Sequence, residues 1–262
     1  MRITLFTSNK NRHNYFINLL SRVSEKIFVI QECELVNSGK ITENYRSSSI
    51  LKKYFENVDH AQNKLFGSSS VDNSNKNIKI LSIPFGGLNK YSTSFLSEYL
   101  DSDLYIIFGS SYIKGKLVKF LINQKAINIH AGISPYYRGS DCNFWALYDQ
   151  NPHLVGSTIH LLSDGLDNGP ILYHAMSNLK TNPYEYTMST IKSAFYSITE
   201  RIKDYSIFKI KPIIQDKNKE IRYSRIKEFN EEVVKEYLKK KINLDSKKIQ
   251  NSLLKDPFFL DN

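Results

Sequence analysis

Between Ala126 and Tyr173 the chain reads AINIHAGISPYYRGSDCNFWALYDQNPHLVGSTIHLLSDGLDNGPILY, the densest run of chemically able side chains in its 262 residues. Asn128 and His130 stand two positions apart at the end of an apolar stretch. On a strand, both side chains would leave the same face of the pleat and address one centre. A side-chain amide is a neutral donor at any pH and suits an oxyanion forming at a carbonyl carbon. An imidazole titrates near neutrality, so it can stabilise that charge and carry a proton. Asp167, further along the same segment, offers a carboxylate that can orient the imidazole and hold an ordered water. Taken singly these residues are not diagnostic. An isolated Asn-x-His recurs by chance, a histidine beside an apolar strand is commonly structural, and the Asp167 of DGLDNG reads as an ordinary turn residue.

The elements that would position these groups can be read from apolar period and breakers. Short apolar runs alternate with amphipathic stretches through the first half, the pattern of parallel strands joined by crossover helices. Strands are expected at Ile3 to Phe6, Phe28 to Gln31, Ile78 to Ile83, Leu104 to Phe108, Ala126 to Ile129 and Thr158 to Leu162. Helices are expected at Tyr15 to Val23, Ser49 to Phe66, Thr93 to Leu100, Lys114 to Ile122 and Pro183 to Asp204. The polar segment Gly67 to Asn77 reads as a loop. A strand near Pro212 to Ile214 and helices near Glu228 to Lys240 and Asp245 to Leu254 complete the chain. The fold class this predicts is α/β, a Rossmann-like, mostly parallel sheet over residues 1–205, with a small, mostly helical C-terminal extension over 206–262.

With these elements in place, the polar segment resembles the signature of the folate-dependent formyltransferases. That family includes glycinamide ribonucleotide transformylase, methionyl-tRNA formyltransferase and the sugar N-formyltransferases. Its pattern runs from Asn-x-His at a strand end, through a loop ending Pro-x-Tyr/Trp-Arg-Gly, to Gly-x-Thr-x-His and Gly-x-Asp-x-Gly. This chain supplies Asn128 and His130, then Pro135, Arg138, Gly139 and Trp145, then Gly156, Thr158, Gly165, Asp167 and Gly169. The resemblance implies N10-formyltetrahydrofolate as cosubstrate and Asn128, His130 and Asp167 as the catalytic trio. It also implies a cofactor pocket lined by Phe108, Gly109, Ser110 and Ser111 and closed by the loop at Asp164 and Gly165. His160 is expected to be structural or to support the trio. The chain departs from the common family text at His130-Ala131-Gly132-Ile133-Ser134-Pro135, and Cys142 replaces a proline usual after Arg-Gly.

The acceptor amine is harder to read. The turn TSNKNRHNYF can present Ser8, Asn9, Arg12 and His13 to a phosphate at a helix N-terminus, or it can be a plain helix cap. Arg138 is assigned to the same acceptor. Tyr45, Arg46, Tyr54 and Phe55 offer rings and charge for a nucleotide base, against the alternative of an amphipathic helix burying its aromatics. The tail is shorter than the tRNA-binding β-barrel of the methionyl-tRNA branch and reads mostly helical, so nucleic acid is not expected as a partner. The resemblance therefore favours a nucleotide-linked amino-deoxy sugar of surface-glycan synthesis. The competing readings are methionyl-tRNA formylation, hydrolysis of formyltetrahydrofolate and a retired fold used as a binding module.

Bulk properties are compatible with this picture. The formal charge is +10, and residues 201–262 hold 16 Lys and Arg against 10 Asp and Glu, which suits either a solvated helical face or attraction of anionic ligands. Cys33 and Cys142 are too few for a disulfide scaffold, so two free thiols in a reducing compartment are expected. The six histidines lack ligand spacing and no metal is expected. The N-terminus turns polar too soon for a signal peptide, no membrane partner is expected, and the location implied is the cytoplasm. Related sugar enzymes are often dimers, and the extension is where a homodimer contact would be sought.

Overall fold

In the computed structural model, which describes residues 1–33, 48–72, 74–178, 180–242, 244 and 254–260, the apolar runs become the strands of one mixed sheet. The strands are β1 (Arg2–Ser8), β2 (Lys26–Cys33), β3 (Ile78–Pro84), β4 (Leu104–Phe108), β5 (Ile127–His130), β6 (Tyr137–Gly139), β7 (Ser157–Leu161), β8 (Ile171–Ser177), β9 (Arg222–Ser224) and β10 (Phe258–Leu260). The helices are α1 (Asn11–Ser21), α2 (Ser49–Phe66), α3 (Gly115–Asn123), α4 (Cys142–Tyr148), α5 (Pro183–Lys203) and α6 (Glu231–Lys239). Eight strands hydrogen-bond in the order β10-β8-β7-β5-β4-β1-β2-β3, and β6 pairs with β9 in a separate two-stranded sheet. Pairing is parallel from β3 across to β5, antiparallel at β5–β7 and β7–β8, and parallel again at the β8–β10 edge. The sheet is thus α/β and mostly parallel, as the sequence predicts.

Helices cover both faces, which is why all five residues of β4 are buried. Leu104, Ile106 and Phe108 face the larger core, where Phe16, Phe66 and Phe195 from α1, α2 and α5 pack. Tyr105 and Ile107 face a second layer built on Leu117 and Leu121 of α3. Ile127 and Ile129 join the larger core, so Asn128 and His130 emerge from the opposite side of β5. Helix ends follow their caps: the Ser48 hydroxyl accepts from Leu51 N at 3.0 Å before α2, and Asn182 Oδ1 accepts from Tyr184 N and Glu185 N before α5, with Pro183 in the first turn.

Two expected elements are corrected, and the C-terminal residues are placed. Thr93 to Leu100 is a turn followed by a 3-10 segment, Ser97–Leu100, because the Ser92 hydroxyl captures Phe95 N at 3.1 Å and competes with the helical ladder. Pro212 to Ile214 is reduced to one bridge between Ile213 and Ile171, since Pro212 has no N–H and Gln215 turns into other backbone. The described part of 206–262 is stitched into the core: β9 pairs with β6, β10 extends the main sheet, and Val234 and Tyr237 of α6 pack with α2 and α4. The helix expected at Asp245 to Leu254 lies outside the described residues apart from Leu254, as do Tyr45 and Arg46. The two cysteines are free thiols.

The Phe195 ring stacks on Phe16 at 4.2 Å between centroids and meets Phe108 edge-on at 4.9 Å, so α5 supports β4, the parallel neighbour of the strand that bears Asn128 and His130. Phe195→Ala is expected to cost about 3–5 kcal/mol of unfolding free energy, measured by denaturant titration with an unchanged m-value.

Candidate active site

The carboxyl end of β5 carries Asn128 and His130, and the antiparallel partner β7 sets His160 opposite Asn128 and Thr158 opposite His130. Asp167 arrives from the β7–β8 turn with its backbone in the left-handed region, φ 49°, a conformation that aspartate tolerates better than most residues. Its carboxylate lies 3.3 Å from His130 Nδ1 through Oδ2 and accepts from Asn128 Nδ2 at 3.3 Å through Oδ1. Gly139 N also donates to Oδ2 at 3.3 Å. His130 Nε2 faces the Tyr137 carbonyl at 3.1 Å. The structure therefore brings the expected trio together, with His130 and Asp167 buried and Asn128 half-buried.

Two glycines make this convergence possible. A Cβ on Gly139, at φ 93°, would stand 2.0 Å from Ser224 O, where β6 and β9 meet. A Cβ on Gly169 would stand 1.7 Å from Leu161 O and 3.0 Å from His160 Nδ1. The Arg-Gly and Gly-x-Asp-x-Gly elements thus keep side chains out of two backbone crossings that aim Gly139 N–H and Asp167.

Electrostatics fix the resting protonation. Burial opposes ionisation of Asp167, but the imidazole of His130 and the donors around it outweigh that effect and hold the carboxyl down to about 2. Burial pushes His130 below its ordinary 6.5, while Asp167 pulls it back up. At neutral pH the pair is a carboxylate beside a neutral imidazole, a ring with one proton and two acceptors, Tyr137 O and Asp167.

The loop between β5 and β6 is pinned from several sides. Thr158 Oγ1 donates to Gly132 O at 2.6 Å and accepts from Ser134 N at 2.8 Å. His174 on β8, buried, accepts Lys255 N on Nδ1 at 2.8 Å and so carries its proton on Nε2, which donates to Ser134 O at 2.9 Å. Sequence reasoning gave no hint of this link, because Lys255 acts through its backbone.

Other expected residues fall into groups. Asp164 and Gly165 are exposed at the tip of the turn bearing Asp167. The Phe108 ring belongs to the larger core, so only its backbone can serve a pocket. Ser111 offers its N–H at 2.5 Å and its hydroxyl at 2.8 Å to Glu32, a fully buried carboxylate that also accepts from Gly86 N and Leu88 N. Ser110 Oγ donates to the Ser111 carbonyl at 3.2 Å. Glu32 thus fixes the turns after β3 and β4, and no spacing rule would single it out. Gly109, at φ 66°, sits against His13, whose buried Nε2 has no partner among the described residues. Burial, then Arg12 and Lys10, push His13 well below 6.5. Ser8 is buried, Asn9 is exposed, and the Arg12 guanidinium bonds Gln62 of α2. Arg138 donates to Glu220 at 2.7 Å and to Leu166 O at 2.9 Å, tying the Asp167 turn to the tail. Tyr54 is enclosed by Phe144, Tyr184, Phe229 and Tyr237, an aromatic cluster inside the second core.

Comparison with known proteins follows from this geometry. Residues 98–201, which contain the whole trio, match the family model described as formyl transferase. Among solved structures, a sugar N-formyltransferase from a Shewanella species is similar at 16% identity and TM-score 0.52, covering 87% of this chain and 78% of its own. A phosphoribosylglycinamide formyltransferase from Anaplasma phagocytophilum is similar at 20% identity and TM-score 0.51, over 80% and 89%. An N-formyltransferase from Helicobacter canadensis, solved with folinic acid and dTDP-3-aminofucose, is similar at 11% identity and TM-score 0.51, over 88% and 73%. At these identities the likeness is one of fold.

The His174 link makes stability pH-dependent. Burial depresses its pKa from 6.5 to about 4 in the fold, so the unfolded chain binds a proton first as pH falls. Between pH 6.5 and 4 the wild type is expected to lose about 3 kcal/mol from this group, a loss reduced in His174→Gln, as read by urea titrations across that range.

Proposed function

We propose that this chain, whose residues 98–201 match the formyl transferase family model, moves the formyl group of N10-formyltetrahydrofolate onto the amine of a nucleotide-linked amino sugar. The observation that carries the reading is the meeting of Asn128, His130 and Asp167 at 3.3 Å contacts beside an exposed turn, at the carboxyl end of a sheet strand, where ligands of such sheets gather. The acceptor nitrogen attacks the formyl carbon and the carbonyl electrons move to oxygen. Asn128 donates an N–H to that oxyanion. His130, neutral at rest, turns from the Tyr137 carbonyl to take the proton released by the amine. As an imidazolium it then donates to Asp167 and stabilises the charge. Collapse breaks the bond between carbon and N10, and the same proton returns to the departing nitrogen. Tetrahydrofolate and a formamide leave, so atoms and protons balance.

The choice of a sugar acceptor is supported by fold neighbours that include a sugar N-formyltransferase and an enzyme solved with dTDP-3-aminofucose. A ribonucleotide neighbour of equal likeness keeps the purine branch as the comparison case. Residues 108–111 and the turn at Asp164 and Gly165 would hold the cosubstrate, while the turn between β1 and α1, where Asn9 is exposed, would meet an acceptor phosphate through backbone N–H groups. Among the described residues no helix is long and apolar enough to cross a membrane, and we place the reaction in the cytoplasm.

A panel of amino-sugar nucleotides offered with N10-formyltetrahydrofolate, read by mass, should show a gain of one formyl group on at least one member. Formate release without any acceptor product would instead identify a hydrolase. His130→Ala should abolish turnover while sugar binding persists. The acid limb of kcat/KM should have its midpoint below 6.5, since burial lowers His130, and Asp167→Asn should move it lower still because the upward pull of the carboxylate is gone. A midpoint above 6.5 would contradict the assignment of His130 as the base.

A further inference from the structure

We infer that His160 is a positioning residue that keeps the Asn128 amide turned with its NH2 toward the reacting carbonyl. This rests on the formyl-transfer reading and adds to it the group that sets the direction of the oxyanion donor. His160 and Asn128 are directly paired across β5 and β7, and the imidazole is 1% exposed, so water does not compete for its ring. His160 Nδ1 lies 2.9 Å from Leu161 O. A carbonyl can only accept, so in the neutral ring Nδ1 carries the proton and Nε2 is bare. Nε2 then accepts from Asn128 Nδ2 at 3.0 Å. The second amide N–H points to Asp167 Oδ1 at the longer distance of 3.3 Å.

Reversing the amide would set its oxygen against the Nε2 lone pair and the Asp167 carboxylate together, two repulsions in a buried site. The arrangement matters during the reaction. When the formyl oxygen gains charge, one N–H must leave Asp167 to meet it, and at that moment His160 alone holds the other. Asp167 Oδ1 is 3.8 Å from Nε2, too far for a hydrogen bond, so His160 works through Asn128 rather than as a donor to the acid. Local backbone enforces the tautomer. Leu161 N donates to Pro170 O at 2.9 Å, the bare backbone of Gly169 crosses against Leu161 O, and the β7–β8 register shifts between Ile159 and His160. Such an irregularity re-aims a side chain.

The test pairs His160→Leu, which lacks an acceptor, with His160→Gln, whose Oε1 can replace Nε2. His160→Leu should lower kcat roughly 10- to 100-fold with both KM values within about two-fold, as expected for a group that orients a transition-state donor. His160→Gln should recover most of that loss. In an Asn128→Ala background, His160→Leu should change kcat by less than about two-fold, because the group it orients is gone. Losses that multiply in that background, or a Gln variant as slow as the Leu variant, would overturn the inference. Nitrogen-15 NMR of the wild-type imidazole supplies a readout independent of turnover. The proton is expected on Nδ1, and a proton on Nε2 would overturn the inference even with full activity. Should the wild type transfer no formyl group to any amine, the activity reading fails while the tautomer measurement still decides the role of His160.

Discussion

A carboxylate enclosed by protein takes up a proton unless donors surround it, and nearly everything about this site follows from how Asp167 is surrounded. Its two oxygens meet His130, Asn128 and the Gly139 N–H, three groups that come from two different strands. Its backbone carbonyl is held as well, by Gln215 Nε2 at 2.9 Å. The turn that bears it is therefore fixed at both ends of one residue. A buried acid made ionic in this way polarises the imidazole beside it and aims an amide, and neither would be oriented in an apolar pocket.

The same requirement ties the described part of the tail to the Asp167 turn. Gln215 also donates to Gly169 O at 2.7 Å, Arg138 bridges Glu220 and Leu166 O, and Arg222 clasps Asp149 with two hydrogen bonds at 2.9 and 2.7 Å. Arg222 lies in β9, so the strand that shields Gly139 is itself anchored by a bidentate ion pair. Residues beyond 205 thus complete the walls of a site whose reactive groups all precede them. Gln215 and Glu220, both in the expected extension, reach the turn that bears Asp167 directly and through Arg138.

How much could be read from sequence depended on the length over which each signal repeats. Helix α2 and strand β4 were legible to the residue, Ser49 to Phe66 and Leu104 to Phe108, because each has a long period or an unbroken apolar run between breakers. Strands β6, β9 and β10 have three residues each, too few for any period, and exist because partners elsewhere pair with them. The seven residues of β8 were missed for another reason: His174 and Tyr173 look polar yet are buried through distant partners, Ser134 and Ser197. Within the site, the resemblance to a family signature singled out Asn128, His130 and Asp167, and these side chains do meet in the fold. Glu32 and Gln215 were not singled out, because a lone acid or amide acquires meaning only when the fold brings three foreign N–H groups or two carbonyls to it.

Glu32 and Asp167 differ in what surrounds them. Each is a buried carboxylate at the carboxyl end of the sheet, one on the β2 side of β4 and the other beyond β5. Glu32 binds backbone N–H groups of Gly86, Leu88 and Ser111 and so freezes the turns after β3 and β4. Backbone donors are permanent and cannot be exchanged for a ligand without leaving the acid uncompensated, so that wall is rigid. Asp167, beside the one backbone N–H of Gly139, instead binds side chains, an amide and an imidazole, whose donors can be lent to another acceptor and returned. The two buried acids thus differ in their donors: chiefly backbone N–H groups make the Glu32 side a fixed support, and chiefly side-chain donors make the Asp167 side one where hydrogen bonds can be exchanged.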